Sequence, residues 1–256
     1  MSFETIQFAV SDGIATLILN RPQVMNALNR QMRAEITQAL TSLTEDVRCV
    51  VLTGSGKAFC SGQDLTDASA ALDLEATLRD EYEPMLRAIR DCPAPVIAAV
   101  NGVAAGAGAN LALVADVVIA AESASFVQAF TRIGLIPDAG GTWAIPRAVG
   151  AARALGMMLF ADAIPARQAA DWGLIWQALP DDEFAQTVTD RARHLAQGPT
   201  AAYLAVRSAV AASFDNDLDE QLRLEARLQG EAGRSADFRE GVAAFLEKRK
   251  PGFIGR

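Results

Sequence analysis

The chain reads as an α/β protein with an N-terminal half of alternating strands and helices and a helical final third. Three observations predict this. Runs rich in Val, Ile and Ala, bounded by Gly, Asn and Asp, alternate with helix-period segments up to about residue 142. Beyond that point helical spacing dominates, and no low-complexity linker or fixed-period repeat interrupts it. The 256 residues are half apolar, enough for one large domain or for a core with a smaller appendage.

"FETIQFAV" and "IATLILN" flank Ser11-Asp12-Gly13 and predict a hairpin. In "NRQMRAEITQALTSLTED", Met32, Ile36, Ala39, Leu40 and Leu43 recur at helical spacing behind an Asn29 cap. "CVVLTGSG" and "APVIAAVNG" read as buried strands. Between them "LEATLRDEYEPMLRAIRDC" is an amphipathic helix that Pro84 should kink or divide. "VAAGAGANLALVAD" looks like a tightly packed helix start, and "VVIAAESASFVQAF" supplies one or two strands. After residue 142, "AARALGMMLF", "PARQAADWG", "DEFAQTVTDRARHLAQ", "PTAAYLAVRSAVAAS" and the long run from Leu218 are helical, and only "LIWQALP" reads as a strand. Leu and Ala faces on these late helices suggest burial against another subunit.

A net charge of −8 argues against nucleic acid, which would want a basic face. No uncharged apolar run reaches the roughly 18 residues of a membrane span, and "MSFETIQFAV" has no signal-type core, so a cytoplasmic protein is expected. Cys49, Cys60 and Cys92 fit neither a disulfide framework nor a zinc site, and no metal is expected.

Three stretches could carry chemistry: "GKAFCSGQDL" (56–65), "NGVAAGAGANL" (101–111) and "GLIPDAGGTW" (134–143). In the first two, small residues around Gly62 and Ala107 leave amide N–H groups unshielded, as an oxyanion hole requires; close helix packing is the plainer alternative. In the third, Asp138 is either a turn residue or a poorly hydrated carboxylate with a raised pKa. Nucleotide readings fail: Leu111 stands at the third glycine of a dinucleotide fingerprint, and Ala58 replaces the Ser or Thr of a P-loop. His194, the sole histidine, lies on an amphipathic helix, which makes a Ser-His-Asp triad a poor candidate. Asp64 reads as a helix N-cap, Asp116 as starting or capping an element, the three tryptophans as core, and Arg234 and Arg239 as a solvated or interface face.

Taken in order with "LNRPQVMNAL" and "EGVAAFLEKRKPGF", these stretches resemble the enoyl-CoA hydratase/isomerase (crotonase) superfamily over essentially the whole chain. The resemblance implies a spiral of ββα units over 1–195 and a helical oligomerisation region over 196–256, assembled as a trimer or a hexamer. It implies an acyl-CoA thioester substrate, with coenzyme A as part of that substrate and no separate cofactor. Gln63 and Ala107 would supply the oxyanion-hole amides. Asn26, Ala27, Leu28, Ser61, Gly62, Asp64 and Leu65 would contact the CoA ester, with Asn110, Phe130 and Trp143 around the acyl group and Lys250 and Phe253 near the nucleotide.

Departures from the family pattern narrow the reaction. Asn110 and Phe130 stand where hydratases of the family carry two glutamates, which disfavours water addition. Asp138 stands where members that move a double bond, or use a carboxylate nucleophile, carry their working acid. "FVQAFTRIGLIPDAGGTW" and "GRSADFREGVAAFLEKR" further resemble members that isomerise 1,2-epoxyphenylacetyl-CoA to oxepin-CoA. A dehalogenase-type hydrolase would need a histidine base that His194 is not placed to be, and the acidic charge weighs against a non-catalytic RNA-binding scaffold. The acyl pocket should also depend on the 66–85 segment.

Overall fold

The computed structural model describes residues 3–67 and 73–256; residues 68–72 of the segment expected to shape the pocket lie outside this description. A six-stranded sheet runs in the order β1-β2-β3-β5-β7-β10. β1 (Ile6–Ser11) and β2 (Ile14–Leu19) form the expected hairpin, with Asp12 and Gly13 both at positive φ as a tight two-residue turn demands. β2, β3 (Cys49–Gly54), β5 (Val96–Val100), β7 (Val117–Ala121) and β10 (Gln177–Leu179) are parallel neighbours.

The central strands are apolar throughout because both sheet faces are covered. On one face Val50, Leu52, Val96 and Ala98 pack with Met32, Ile36, Met85 and Ile89. These come from α1 (Arg30–Thr41), capped by Asn29 as expected, and from α3 (Glu83–Arg90). On the other face the alternate residues Cys49, Val51, Ile97 and Ala99 meet Val188, Ala192 and Ala196 of α7 (Asp181–Ala196). The helical run is divided just ahead of Pro84, as expected. The chain passes from α2 (Leu74–Thr77) through a π-turn at Leu78–Tyr82, and Pro84 falls at the first turn of α3, where a missing N–H costs nothing.

A second sheet, β4-β6-β8-β9, supplies the short strands of the expected ββα units; β8 lies in a stretch read as one or two strands, whereas β6 and β9 were not read as strands. β4 (Ala58–Cys60), β6 (Val103–Ala105) and β8 (Ser125–Val127) each follow a long-sheet strand within a few residues. The repeating unit is therefore strand, short strand, helix: β3-β4-α2/α3, β5-β6-α4 (Ala107–Leu113), and β7-β8 leading to α5 (Gly141–Phe160). β9 (Ala163–Pro165) closes the sheet antiparallel to β8, a second strand beyond residue 142, tolerated with its proline because it lies at the edge. α5 is two helices joined at Gly150, whose φ of 78° and ψ of 160° are non-helical.

α6 (Ala166–Asp171), α8 (Thr200–Ala212), α9 (Leu218–Ala232) and α10 (Ala236–Glu247) complete the helical part. Arg207 ties α8 to the sheet: it is ion-paired with Asp116 and donates to the carbonyls of Cys92 (2.6 Å) and Ala94 (2.9 Å). The last residues are held at two points. Arg48, just before β3, donates to Phe253 O and Thr200 Oγ1, while the buried Asp237 carboxylate accepts from the amides of Ile254 and Gly255. Contrary to the sequence reading, Trp176 is 70% exposed and Trp143 is largely exposed; only Trp172 is half-buried. Among the described residues no helix is long and apolar enough to cross a membrane.

Phe126 of β8 sits fully buried between the two sheets' helices. Phe126→Ala should lower unfolding free energy by about 3–5 kcal/mol, read from a urea titration.

Candidate active site

Asp138 sits in the loop that leads into α5, and that loop is shaped by main-chain geometry. Ala139 and Gly140 both adopt positive φ, and the Asp138 carbonyl accepts from Gly141 N at 2.9 Å and from Asn110 Nδ2 at 2.8 Å. Gly141 is required: a Cβ there would lie 2.4 Å from Asn110 Nδ2. Asn110 in turn accepts from Gln128 Nε2 at 3.0 Å. Its amide is thus spent on holding the loop.

The Asp138 carboxyl gains nothing from these bonds. Its Oδ1 is buried without a hydrogen-bond partner, and burial pushes its pKa up to about 6 against a weaker pull from its own backbone amide. It faces a groove of about 1170 Å³ with a mainly apolar wall that includes Leu78, Leu86, Leu135, Val206 and Phe214. Glu75, Glu83 and Asp116 also border the groove, but Glu75 is exposed and the other two are ion-paired. Asp138 as a residue is half-buried, and its Oδ1 is the buried oxygen among these acids that has no hydrogen-bond partner.

The Gln63 loop adjoins this groove through Tyr82, which lines the groove and donates its hydroxyl to Gln63 Oε1. Leu28 and Gln63 form a parallel bridge: Leu28 N donates to Gly62 O and Asp64 N to Leu28 O. That register turns the Gln63 N–H away from Leu28. Ala107 opens α4, where its N–H lacks an intrahelical acceptor, and Asn110 follows three residues later on the same face. Neither amide has an acceptor among the described residues. Gly62 brings the two segments together, since a Cβ on it would meet Ala105 O at 2.8 Å and Ala107 N at 3.3 Å. Its φ of 93° also suits glycine.

Several expected ligand contacts are instead structural. Asn26 has no exposed surface; its side chain accepts from Arg21 N and donates to the carbonyls of Ser55, Ala58 and Phe59. Leu28 is likewise fully buried in the core. Among the described residues Asp64 caps no helix. It makes an Asx turn with Thr66 and an ion pair with Arg21 at 2.8 Å, and although burial pulls its pKa upward, those partners outweigh this and leave it lowered. Ala27 is nearly buried, Ser61 is half-buried with its hydroxyl on Val24 O, and Leu65 is 69% exposed. Phe130 is buried against Gly106, and Trp143 stacks on Arg147 at the groove's edge. Phe253 is pinned beside Arg48, at the start of β3, whereas the Gln63 loop follows the strand's other end. Lys250 is exposed nearby, so neither tail residue joins Asp138 within one chain.

The exposed His194 and the three buried cysteines offer no nucleophile; burial pushes the Cys49 and Cys60 thiols up to about 12. Sequence reasoning missed Arg33, fully buried beside Gln63, and Arg207. Arg33 is spaced with Ile36 and Leu40 on the apolar face of α1, and that spacing was a usable signal.

The chain belongs to the enoyl-CoA hydratase/isomerase family, which matches residues 9–256, and is an enzyme of acyl-CoA chemistry. It is 63% identical, over the full length of both proteins, to a Rhodobacter capsulatus protein described as "Probable enoyl-CoA hydratase". It is 48% identical over 99% of both chains to the 1,2-epoxyphenylacetyl-CoA isomerase of Escherichia coli K12. The crystal structure of an enoyl-CoA hydratase from Bacillus anthracis superposes with a TM-score of 0.92 at 32% identity, covering 99% of this chain and all of that one.

Two outcomes follow from this geometry. Asn26→Ala should cost about 1–3 kcal/mol of stability by orphaning buried main-chain groups, with CoA-ester affinity in the folded fraction unchanged by isothermal titration calorimetry. Asp138 has a folded pKa above its unfolded value, so its burial penalty is absent below about pH 4, grows as the acid ionises, and is complete above about pH 6. Asp138→Asn should therefore raise Tm at pH 8 and leave it nearly unchanged at pH 4, by differential scanning calorimetry.

Proposed function

We propose that the enzyme is an acyl-CoA isomerase in which Asp138 moves a single proton. The observation that supports this most directly is the unpaired carboxyl in an apolar groove, with a pKa near 6. At neutral pH such a group is mostly the carboxylate yet readily protonated, which suits an acid that must both take and return a proton. For a 3-enoyl-CoA, the carboxylate removes a proton from the carbon next to the thioester carbonyl. The electron pair moves onto the carbonyl oxygen, which rests against the amides of Gln63 and Ala107. The protonated acid then delivers the same proton two carbons along, leaving the 2-enoyl-CoA and a restored carboxylate. For a ring 1,2-epoxide, the same carboxyl assists opening of the epoxide toward the oxepin, the ring lying in the groove near Leu135 and Trp143. No residue outside this set is needed for either course, and the likeness to the E. coli isomerase favours the epoxide.

Hydration is the competing activity, favoured by the description of the R. capsulatus relative. It needs a second acid to hold water. Asn110 is committed to the Asp138 loop and Phe130 carries no polar group, which weighs against it. Exposed apolar side chains on α9 and α10, among them Leu222, Phe238, Phe245 and Leu246, support assembly of copies through the helical region, as a trimer or a hexamer.

Turnover of 1,2-epoxyphenylacetyl-CoA and of 3-hexenoyl-CoA, measured beside hydration of crotonyl-CoA, tests the reading. Asp138→Asn should lose about 10²- to 10⁴-fold in isomerase kcat with little change in CoA-ester binding. In the wild type kcat/KM should rise with pH through about 6. Normal turnover by the Asn variant, or crotonyl-CoA hydration faster than both isomerisations, ends the proposal.

A further inference from the structure

The Gln63 amide is aimed by a buried cation that the proton transfer does not use. The Leu28–Gln63 bridge sets which side of the strand the Gln63 N–H faces. The side chain adds a second anchor. Gln63 Oε1 accepts from Arg33 Nη1 at 3.1 Å and from the Tyr82 hydroxyl, and Gln63 Nε2 reaches Asp64 O at 3.3 Å. The same Arg33 Nη1 donates to Leu28 O at 2.8 Å, so one guanidinium nitrogen touches both strands of the bridge at the donor's level.

Arg33 is itself immobilised. It is 1% exposed, its Nε and Nη2 bond to Glu81 Oε2 at 3.0 and 2.5 Å, Asp67 lies 3.6 Å away, and its plane stacks on the Tyr82 ring at 4.9 Å. Glu81 and Tyr82 are consecutive, and the π-turn they end lets both reach the same partner from one helix. Arg33 is fully buried and Glu81 half-buried; taking a guanidinium out of water is costly, and apolar residues in place of a buried ion pair often cause no loss of stability. A charge retained at this place therefore points to alignment as its use.

We propose that Arg33, acting with Tyr82 through the Gln63 side chain, is a positioning residue for the Gln63 N–H donor. It fixes the direction of that N–H toward the thioester carbonyl, and touches neither substrate nor the transferred proton. The inference rests on the reading in which the Gln63 amide polarises the thioester.

The test is the infrared carbonyl stretch of butyryl-CoA, carbon-13 labelled at the thioester carbonyl and bound to the full-length protein. In the wild type the band should shift to lower frequency on binding. In Arg33→Met the shift should shrink and kcat should fall about 10- to 100-fold, as for a donor that is misaimed and not removed, while KM stays close to the wild-type value. Arg33→Lys, which retains a donor for Gln63 Oε1, should recover part of both. Tyr82→Phe keeps the ring under Arg33 and deletes only the hydroxyl; it should reproduce a smaller loss and carries the test should Arg33→Met not fold. A full band shift and unchanged kcat in whichever of Arg33→Met and Tyr82→Phe fold overturn the positioning role while leaving the amide donor standing. Absence of any shift in the wild type overturns the donor, and the positioning role with it.

Discussion

The hydrogen bond from Asn110 to the main-chain carbonyl of Asp138 governs much of the site. It satisfies the loop's backbone and holds the turn through Ala139 and Gly140, yet offers nothing to the carboxyl group. An amide aimed at the side chain would have stabilised the carboxylate and lowered its pKa. Aimed at the backbone, it fixes the acid in place and leaves its ionisation to the apolar wall. Position and reactivity are thereby set by different neighbours.

The ββα repeat explains how such separate neighbours converge. Each long strand hands over to a short strand of the second sheet before its helix begins, so Gln63 after β4, Ala107 after β6 and Asp138 beyond β8 emerge from successive turns of one spiral. Arg207 then fastens α8 to the same sheet and fixes the far wall of the groove. The groove is bounded by elements distant in sequence but tied to one framework.

What could be read from the sequence followed the range of the interactions. α1 and its Asn29 cap, the Asp12-Gly13 hairpin and the buried strands β3 and β5 declare themselves through local periodicity and turn chemistry. β4, β6 and β9 are three residues each and exist only because distant partners complete them. Asn26 was expected to contact CoA through the family resemblance, and its burial could not be read from its neighbours in sequence. Here the segment 55–59 wraps over it and takes its side-chain N–H groups, while Arg21 N takes the oxygen. The positive φ of Asn26, 57°, belongs to the same tight fold of that loop. Asp138 stood out by its apolar and glycine neighbours as a turn residue or a poorly hydrated acid, the resemblance favoured the acid, and its orphaned oxygen could be known only from the fold. Arg33 and Arg207 were passed over because their partners lie up to 115 residues away.

The tethering of the last residues has a practical side. Arg48 grips the Phe253 carbonyl, Asp237 grips the amides of Ile254 and Gly255, and Asp237 N in turn donates to Arg256 O. Replacing the Asp237 carboxylate would release both amides at once and loosen the base of α10 with them.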